Sequence, residues 1–145
     1  AVAEGRSLRF AQEDIAFQGH AMECRINAED WHLDFRPSPG TIESAVFPVG
    51  PDIRVDTHIE SGSVVPPYYD SLLAKLIVHG TDRRDAFRRT RRALRRCRIR
   101  GVATTLDVHE MLLDDQELAE GGVDTLFFAR FLESRLASEM TTSGA

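Results

Sequence analysis

The sequence predicts an α+β fold, in which antiparallel strands of the first half form a sheet or a partial barrel and about three helices follow. Three observations support this class. Apolar and polar residues alternate with a period of two at residues 20–27 and 53–60. A short apolar run occupies residues 72–78, and helix-spaced apolar residues dominate after residue 82. Strands that precede helices, rather than alternate with them, are typical of α+β domains.

The strand predictions cover the first half of the chain. Extended segments are predicted in chain order at residues 20–27, 41–47, 53–59 and 72–78. Turns rich in glycine or proline separate them, at residues 30–40, 48–52 and 61–63. The last segment is apolar except for Lys75, which predicts a strand buried on both faces. Lys75 must therefore find a partner or reach solvent.

The helix predictions cover the second half. Helices are predicted at residues 83–98, from about residue 104 to residue 120, and from residue 124 onward. Gly101 and the Gly121–Gly122 pair interrupt the helical pattern. Thr104 with Asp107 resembles a capping box at the start of the second helix, with the threonine accepting from a free backbone donor.

Ten of the seventeen arginines lie at residues 83–100, which raises the hypothesis of nucleic-acid binding. Phe87, Leu94 and Cys97 form an apolar stripe at helix spacing within this segment. The arginines fill the remaining positions, as they do on the solvated face of an amphipathic helix. We therefore expect no nucleic-acid partner.

Length and composition indicate one globular domain, expected over residues 1–137, with a disordered tail at residues 138–145. The chain has 145 residues and a formal net charge of -5. It has no bilayer-length apolar run and no signal-peptide pattern, so we expect a cytoplasmic location and no membrane partner. Cys24 and Cys97 are expected to be free thiols, and the scattered histidines predict no metal site.

The segment PPYYDSLLAKLI, residues 66–77, joins a stiff corner to the predicted apolar strand. Pro66 and Pro67 restrict the backbone immediately before Tyr68, Tyr69 and Asp70. A rigid corner anchored to a buried strand is suited to holding side chains for chemistry.

A second segment, GHAMECRINAED at residues 19–30, places an arginine on the polar face of a strand. Glu23, Arg25 and Asn27 alternate with apolar residues, so their side chains share one face. Arg25 stays protonated at any working pH and offers a planar fork of donors. Taken from the residues alone, it could also form a simple ion pair with Glu23 or Glu29.

These two segments, together with FRPSPG at residues 35–40, resemble the three ordered motifs of the biotin carboxylase C-terminal domain. The resemblance extends from about residue 11 to about residue 136. Members of this family carboxylate biotin with ATP and bicarbonate, as the first half-reaction of acetyl-CoA, propionyl-CoA and related acyl-CoA carboxylases and of pyruvate carboxylase. We therefore expect a ligase domain that belongs to an acyl-CoA carboxylase of fatty acid biosynthesis.

The resemblance implies a role for each candidate site residue. Arg25 would be catalytic, stabilising negative charge on the ureido oxygen of biotin. Asp70 and Tyr69 would line the biotin pocket with Arg25, and Glu23 would orient the arginine. Asp70 has an alternative role as a turn aspartate that bonds to its own backbone.

The resemblance also implies that much of the enzyme lies outside this chain. The ATP-grasp portion, which binds ATP and magnesium or manganese, precedes this region in the family, so we expect the isolated chain to be inactive. Expected partners are that portion, a biotin carboxyl carrier, a carboxyltransferase and a second subunit in a homodimer. The strand at residues 53–59 with Arg54 is a candidate dimer surface. A degenerate homologue that serves only as an assembly or dimerisation module is the alternative.

Overall fold

The computed structural model describes residues 1–142, and this part of the chain contains nine strands and four α-helices. The strands are β1 His20–Asn27, β2 Glu29–Asp30, β3 Arg36–Pro37, β4 Gly40–Thr41, β5 Ser44–Val46, β6 Ile53–Thr57, β7 Val64–Val65, β8 Leu72–Gly80 and β9 Arg98–Arg100. The helices are α1 Arg83–Leu94, α2 Leu106–Leu113, α3 Gln116–Glu120 and α4 Phe127–Thr142. The α+β class, with antiparallel strands first and helices last, is confirmed.

The strand β8 is the centre of a three-stranded antiparallel sheet, between β1 and β6. Leu76 and Val78 on one face are fully buried and belong to a core that includes residues of α1. On the other face Lys75 and Ile77 are half-buried, and His79 is exposed. Leu73, on the same face as Lys75, is only 1% exposed, so the predicted burial on both faces holds at the start of β8 and is lost further along, where α1 covers one side of the sheet.

Three short antiparallel pairs, β2–β3, β4–β7 and β5–β9, complete the strand pairing. The predicted strand at residues 41–47 divides into β4 and β5, which pair with different partners. The strand β9 was missed, because the arginine-rich helix α1 ends at Leu94 and the next arginines continue into an extended segment. Gly101 ends β9 at a φ of +103°, and a Cβ there would lie 2.1 Å from the Thr41 carbonyl oxygen. Only glycine fits this turn without strain.

Two carboxylates, Asp82 and Asp85, lie at the start of helix α1. The Asp82 side chain caps the helix by accepting from the Asp85 backbone N–H at 2.8 Å. Asp85 accepts from the Thr81 backbone N–H at 3.1 Å and pairs with Arg88 and Arg89. The backbone hydrogen bond first, and then the two guanidinium groups, lower the pKa of Asp85 to about 2.

The two ends of the chain differ in structure. Residues 1–19 contain two short 3-10 turns, and the side chains of Leu8, Phe10 and Phe17 are exposed. Helix α4 runs to Thr142, into the stretch expected to be a tail; residues 143–145 of that stretch lie outside the described residues. Within residues 1–142, no helix has both the length and the apolar character that crossing a membrane requires.

Candidate functional site

Arg25 lies near the end of β1, on the sheet face that α1 leaves open. Its register partner across the sheet is Lys75, and Lys75 in turn is opposite Asp56 of β6. The Arg25 side chain is exposed, and no hydrogen bond or ion pair to its guanidinium group occurs within residues 1–142. The structure therefore presents a positive charge on a rigid strand with its donors unoccupied.

Two side chains from the start of α2 hold the backbone of Arg25. The Thr105 hydroxyl donates to the Arg25 carbonyl oxygen at 3.3 Å and accepts from the Asn27 backbone N–H at 3.0 Å. The Thr105 backbone N–H donates to the Asn27 carbonyl oxygen at 3.1 Å. His109 Nε2–H donates to the Arg25 carbonyl oxygen at 2.8 Å. These bonds fix the strand on which the guanidinium group is mounted, while the guanidinium group itself stays free.

Burial disfavours the charged form of His109. Desolvation lowers the pKa of His109 below its ordinary value, and the hydrogen bond to Arg25 opposes this shift only in part. The neutral imidazole can make this bond when its proton is on Nε2.

Asp70 and the two tyrosines form the corner that precedes β8. One Asp70 oxygen, Oδ1, accepts from the Leu72 backbone N–H at 3.0 Å, which is the turn-forming bond that the sequence left open as an alternative. Tyr68 is 87% exposed and Tyr69 is 82% exposed. The rings therefore have little packing within this chain and are accessible to a ligand or to another part of a larger protein.

A hydrogen-bonded link joins the Arg25 strand to the Asp70 corner. The Glu29 carboxylate oxygen Oε1 accepts from Asn27 Nδ2 at 3.1 Å and also from the Ser71 hydroxyl. The Ala28 backbone N–H donates to the Ser71 carbonyl oxygen at 2.7 Å beside this link. Asn27 is two residues after Arg25, and Ser71 directly follows Asp70, so the structure brings the two predicted site segments together.

Glu23 shares the open sheet face with Arg25, and within residues 1–142 no hydrogen bond or ion pair joins the two. Glu29 is likewise not paired with Arg25 among the described side chains, so the simple ion-pair alternative is not observed. The other acid on this face, Asp56, is engaged by Arg54 through two bonds of 2.8 Å and by Lys75 at 3.8 Å. Arg25 is thus left as the cation without an acidic partner.

The described residues offer no site for a metal ion, since they contain no cluster of three histidine, cysteine, aspartate or glutamate side chains. They therefore provide no three-ligand protein site for magnesium or manganese. Cys24 and Cys97 are free and buried, as predicted. Burial raises the pKa of the Cys24 thiol to about 12 and that of Cys97 to about 11, so both thiols stay protonated and unreactive near neutral pH.

Sequence reasoning missed the residues that support the site. It assigned the start of α2 to a capping box at Thr104, whereas the helix begins at Leu106 and Thr105 uses its hydroxyl to bind β1. It treated His109 as one of several scattered histidines, and it considered Glu29 only as an ion-pair partner. A threonine next to a predicted helix start was the one available signal, and it indicated a local cap rather than a distant strand.

Comparisons with known proteins show which family this chain is similar to. The family model described as the biotin carboxylase C-terminal domain matches residues 23–130. Biotin carboxylase of Nostoc is 47% identical over 126 residues, covering 87% of this chain and 28% of the relative. The chloroplastic biotin carboxylase of Arabidopsis thaliana is 49% identical over 132 residues, covering 91% of this chain and 25% of the relative. The chain thus spans about a quarter of the length of these curated relatives.

A solved structure has the same fold. The biotin carboxylase domain dimer of the Hydrogenobacter thermophilus 2-oxoglutarate carboxylase, in complex with ADP, magnesium and bicarbonate, superimposes with a TM-score of 0.86. It is 43% identical, and the match covers 89% of this chain and 28% of that one. A second solved structure, the biotin carboxylase subunit of a pyruvate carboxylase, is 39% identical with a TM-score of 0.87, covering 91% of this chain and 29% of that one.

Proposed function

Because the chain belongs to the family of biotin carboxylase C-terminal domains, we propose that it completes the biotin site of a biotin carboxylase. The reaction is the ATP- and bicarbonate-dependent carboxylation of biotin, and the enzyme is a ligase. The observation that carries this proposal is the exposed Arg25 guanidinium group, which has no partner within residues 1–142 while its backbone is held by Thr105 and His109.

The chemistry of biotin gives Arg25 its role. The ureido nitrogen is a weak nucleophile, and its reaction needs a base and stabilisation of the negative charge that develops on the ureido oxygen. A guanidinium group that is already oriented can supply that stabilisation as an oxyanion-hole donor does. Because Arg25 never loses its charge at working pH, it acts by charge and hydrogen bonding and not as the base.

The remaining candidate residues surround this group. Asp70 uses Oδ1 in its turn and has a second oxygen left to order a charged group beside biotin. Tyr69 provides an exposed ring suited to line the pocket. Glu23, two residues before Arg25 on the same face, is positioned to influence its orientation through charge.

The rest of the enzyme is expected upstream of this region. We assign ATP and magnesium or manganese to an ATP-grasp portion of the same protein, since the described residues here contain no metal-ligand cluster. The partners are that portion, a biotin carboxyl carrier, a carboxyltransferase and a second subunit that contacts the β6 surface near Arg54. An acyl-CoA such as acetyl- or propionyl-CoA is the proposed final acceptor, and the cytoplasm is the proposed location.

The experiment uses the longest natural polypeptide that contains this chain. We expect Arg25→Ala to lower the biotin-stimulated part of bicarbonate-dependent ATP cleavage by about a hundredfold or more, the typical effect of losing an oxyanion-hole donor. Cleavage without biotin should largely survive, because the phosphate-binding groups are elsewhere. Steady-state rates with and without free biotin measure both quantities.

Arg84→Ala, at an exposed position on α1, is the matched control and should respond to biotin as the natural protein does. An equal biotin response in Arg25→Ala would make Arg25 a structural residue. If neither the natural protein nor the variants cleave ATP, the assembly-module alternative replaces the catalytic one.

A further inference from the structure

Glu29 has an unusual environment for a carboxylate. It is half-buried in β2, and within residues 1–142 no cation pairs with it. Its Oε1 atom instead accepts from two neutral donors, Asn27 Nδ2 at 3.1 Å and the Ser71 hydroxyl. A carboxylate is usually stabilised more by a cation than by amide or hydroxyl donors. Two neutral donors on one carboxylate oxygen therefore suit a side chain that holds neighbouring segments in place.

The two donors belong to separate parts of the chain. Ser71 is 42 residues from Glu29 in sequence, and the register of β1 against β8 shifts between Ile26 and Asn27, directly beside the link. A register shift interrupts the regular ladder of backbone hydrogen bonds. Next to this shift the Ala28 backbone N–H donates to the Ser71 carbonyl oxygen at 2.7 Å, and the Glu29 side chain adds a second connection between the same two segments.

We propose that Glu29 is a positioning residue that aligns Arg25 with Asp70 for biotin. Through Asn27 it holds the end of the strand that carries Arg25, and through Ser71 it holds the corner that carries Asp70. This inference rests on the proposed function, because it assigns a purpose to the alignment of those two groups. Glu29 itself touches neither biotin nor the reacting atoms.

The hydrogen bonds, and not the negative charge, perform this task. Glu29→Gln keeps an acceptor oxygen at the same reach, so Asn27 and Ser71 can still donate to it. Glu29→Ala removes the acceptor and leaves both donors without their partner. The two variants therefore separate alignment from electrostatics.

The test uses the longest natural polypeptide that contains this chain. We expect Glu29→Ala to lower kcat/KM for free biotin by about tenfold or more, the lower end of the usual effect for a residue that orients a functional group. Biotin-independent ATP cleavage should stay within about twofold. Glu29→Gln should retain kcat/KM within about threefold, and Glu60→Ala, an exposed loop glutamate, is the matched control.

A double-mutant cycle distinguishes alignment from general damage. If Glu29 acts through Arg25, Glu29→Ala should lower kcat/KM for biotin much less in the Arg25→Ala background than in the natural one. Independent, multiplicative losses would overturn the proposal. So would a loss in Glu29→Gln as large as that in Glu29→Ala, or an unchanged kcat/KM in Glu29→Ala.

Amide hydrogen exchange supplies a measurement that does not depend on turnover. In Glu29→Ala, the Ala28 and Leu72 amides should exchange about tenfold faster, because they lie at the joined segments, while amides in α1 keep their rates. If the natural protein shows no biotin response, the proposed function fails. In that case, faster exchange in Glu29→Ala would mean that Glu29 only joins the two segments, and its role in aligning groups for biotin would be overturned. Unchanged exchange in Glu29→Ala would overturn the link between the segments as well.

Discussion

Arg25 is positioned through its main chain. The Arg25 carbonyl oxygen receives two hydrogen bonds from α2, one from Thr105 and one from His109. Thr105 is only 6% exposed, so its hydroxyl has little access to water and must be satisfied by protein groups. Positioning of this kind leaves all the guanidinium donors available for a ligand, which a side-chain ion pair would not.

His109 makes this anchor sensitive to acid. Its pKa is lowered in the folded chain, so the unfolded chain binds a proton more readily than the folded one. The contribution of neutral His109 to stability is therefore present above its unfolded pKa, and it decreases as the pH falls through that value of about 6.5 towards the lower folded value.

We expect His109→Gln to reduce the loss of stability on acidification. Glutamine can donate to the Arg25 carbonyl oxygen but does not titrate. The measurement is the free energy of urea unfolding at about pH 7.5 and about pH 5.5, values on either side of the ordinary histidine pKa. His58→Gln, at an exposed position, should keep the natural dependence, and an identical slope in His109→Gln would contradict the assignment.

The strand β8 and the helix α1 approach each other closely at Gly80. A Cβ on Gly80, the last residue of β8, would lie 2.3 Å from the Ala86 backbone nitrogen and 2.7 Å from its Cα. Backbone atoms cannot move aside as a flexible side chain can. The absence of a side chain at Gly80 therefore sets how closely the helix approaches the sheet.

Gly80→Ala should lower the free energy of unfolding by about 1–3 kcal/mol, the usual cost of inserting a methyl group into a packed contact. Gly122→Ala is the matched control, because nothing lies within 4 Å of a Cβ at that position. The control should change stability by less than about 0.5 kcal/mol. Denaturant unfolding gives the free energy of unfolding of each variant. Equal values for the two variants would show that α1 can move away from β8 without a loss of stability.

The molecule as a whole presents surfaces that suit a larger protein. Leu8, Phe10 and Phe17 are exposed near the beginning of the chain, and Tyr68 and Tyr69 are exposed at the candidate site. Exposed aromatic and aliphatic groups of this kind often mark contacts with other protein parts. The ATP-grasp portion proposed above is our candidate to cover them.

We expect the purified 145-residue chain to be inactive. In its proposed role Arg25 stabilises charge on biotin, but the described residues contain no cluster of three metal-ligating side chains with which to bind magnesium beside the phosphates. The measurement is bicarbonate-dependent ATP cleavage by this chain beside that of the longest natural polypeptide. Cleavage above the buffer blank by the short chain would contradict the expectation.

Local patterns in the sequence were enough to predict the α+β class and the strands β1, β6 and β8. Arg25 and Asp70 became candidate site residues through the resemblance of their segments to the biotin carboxylase C-terminal domain. Alternation with a period of two and the stiffness of the proline pair are properties of neighbouring residues, so they can be read without the fold. The same locality explains the errors. The arginine pattern of α1 continues into β9 because arginine is compatible with either structure when the residue is exposed.

The hydrogen bonds that hold the segments around Arg25 could be identified only in the folded structure. Thr105 is 80 residues from Arg25, His109 is 84 residues from it, and Ser71 is 42 residues from Glu29. A threonine, a histidine and a glutamate have many possible partners in sequence, and which one each finds depends on how the helices pack on the sheet. Individual side chains could therefore be named from the sequence, whereas their alignment is a property of packing over the whole chain.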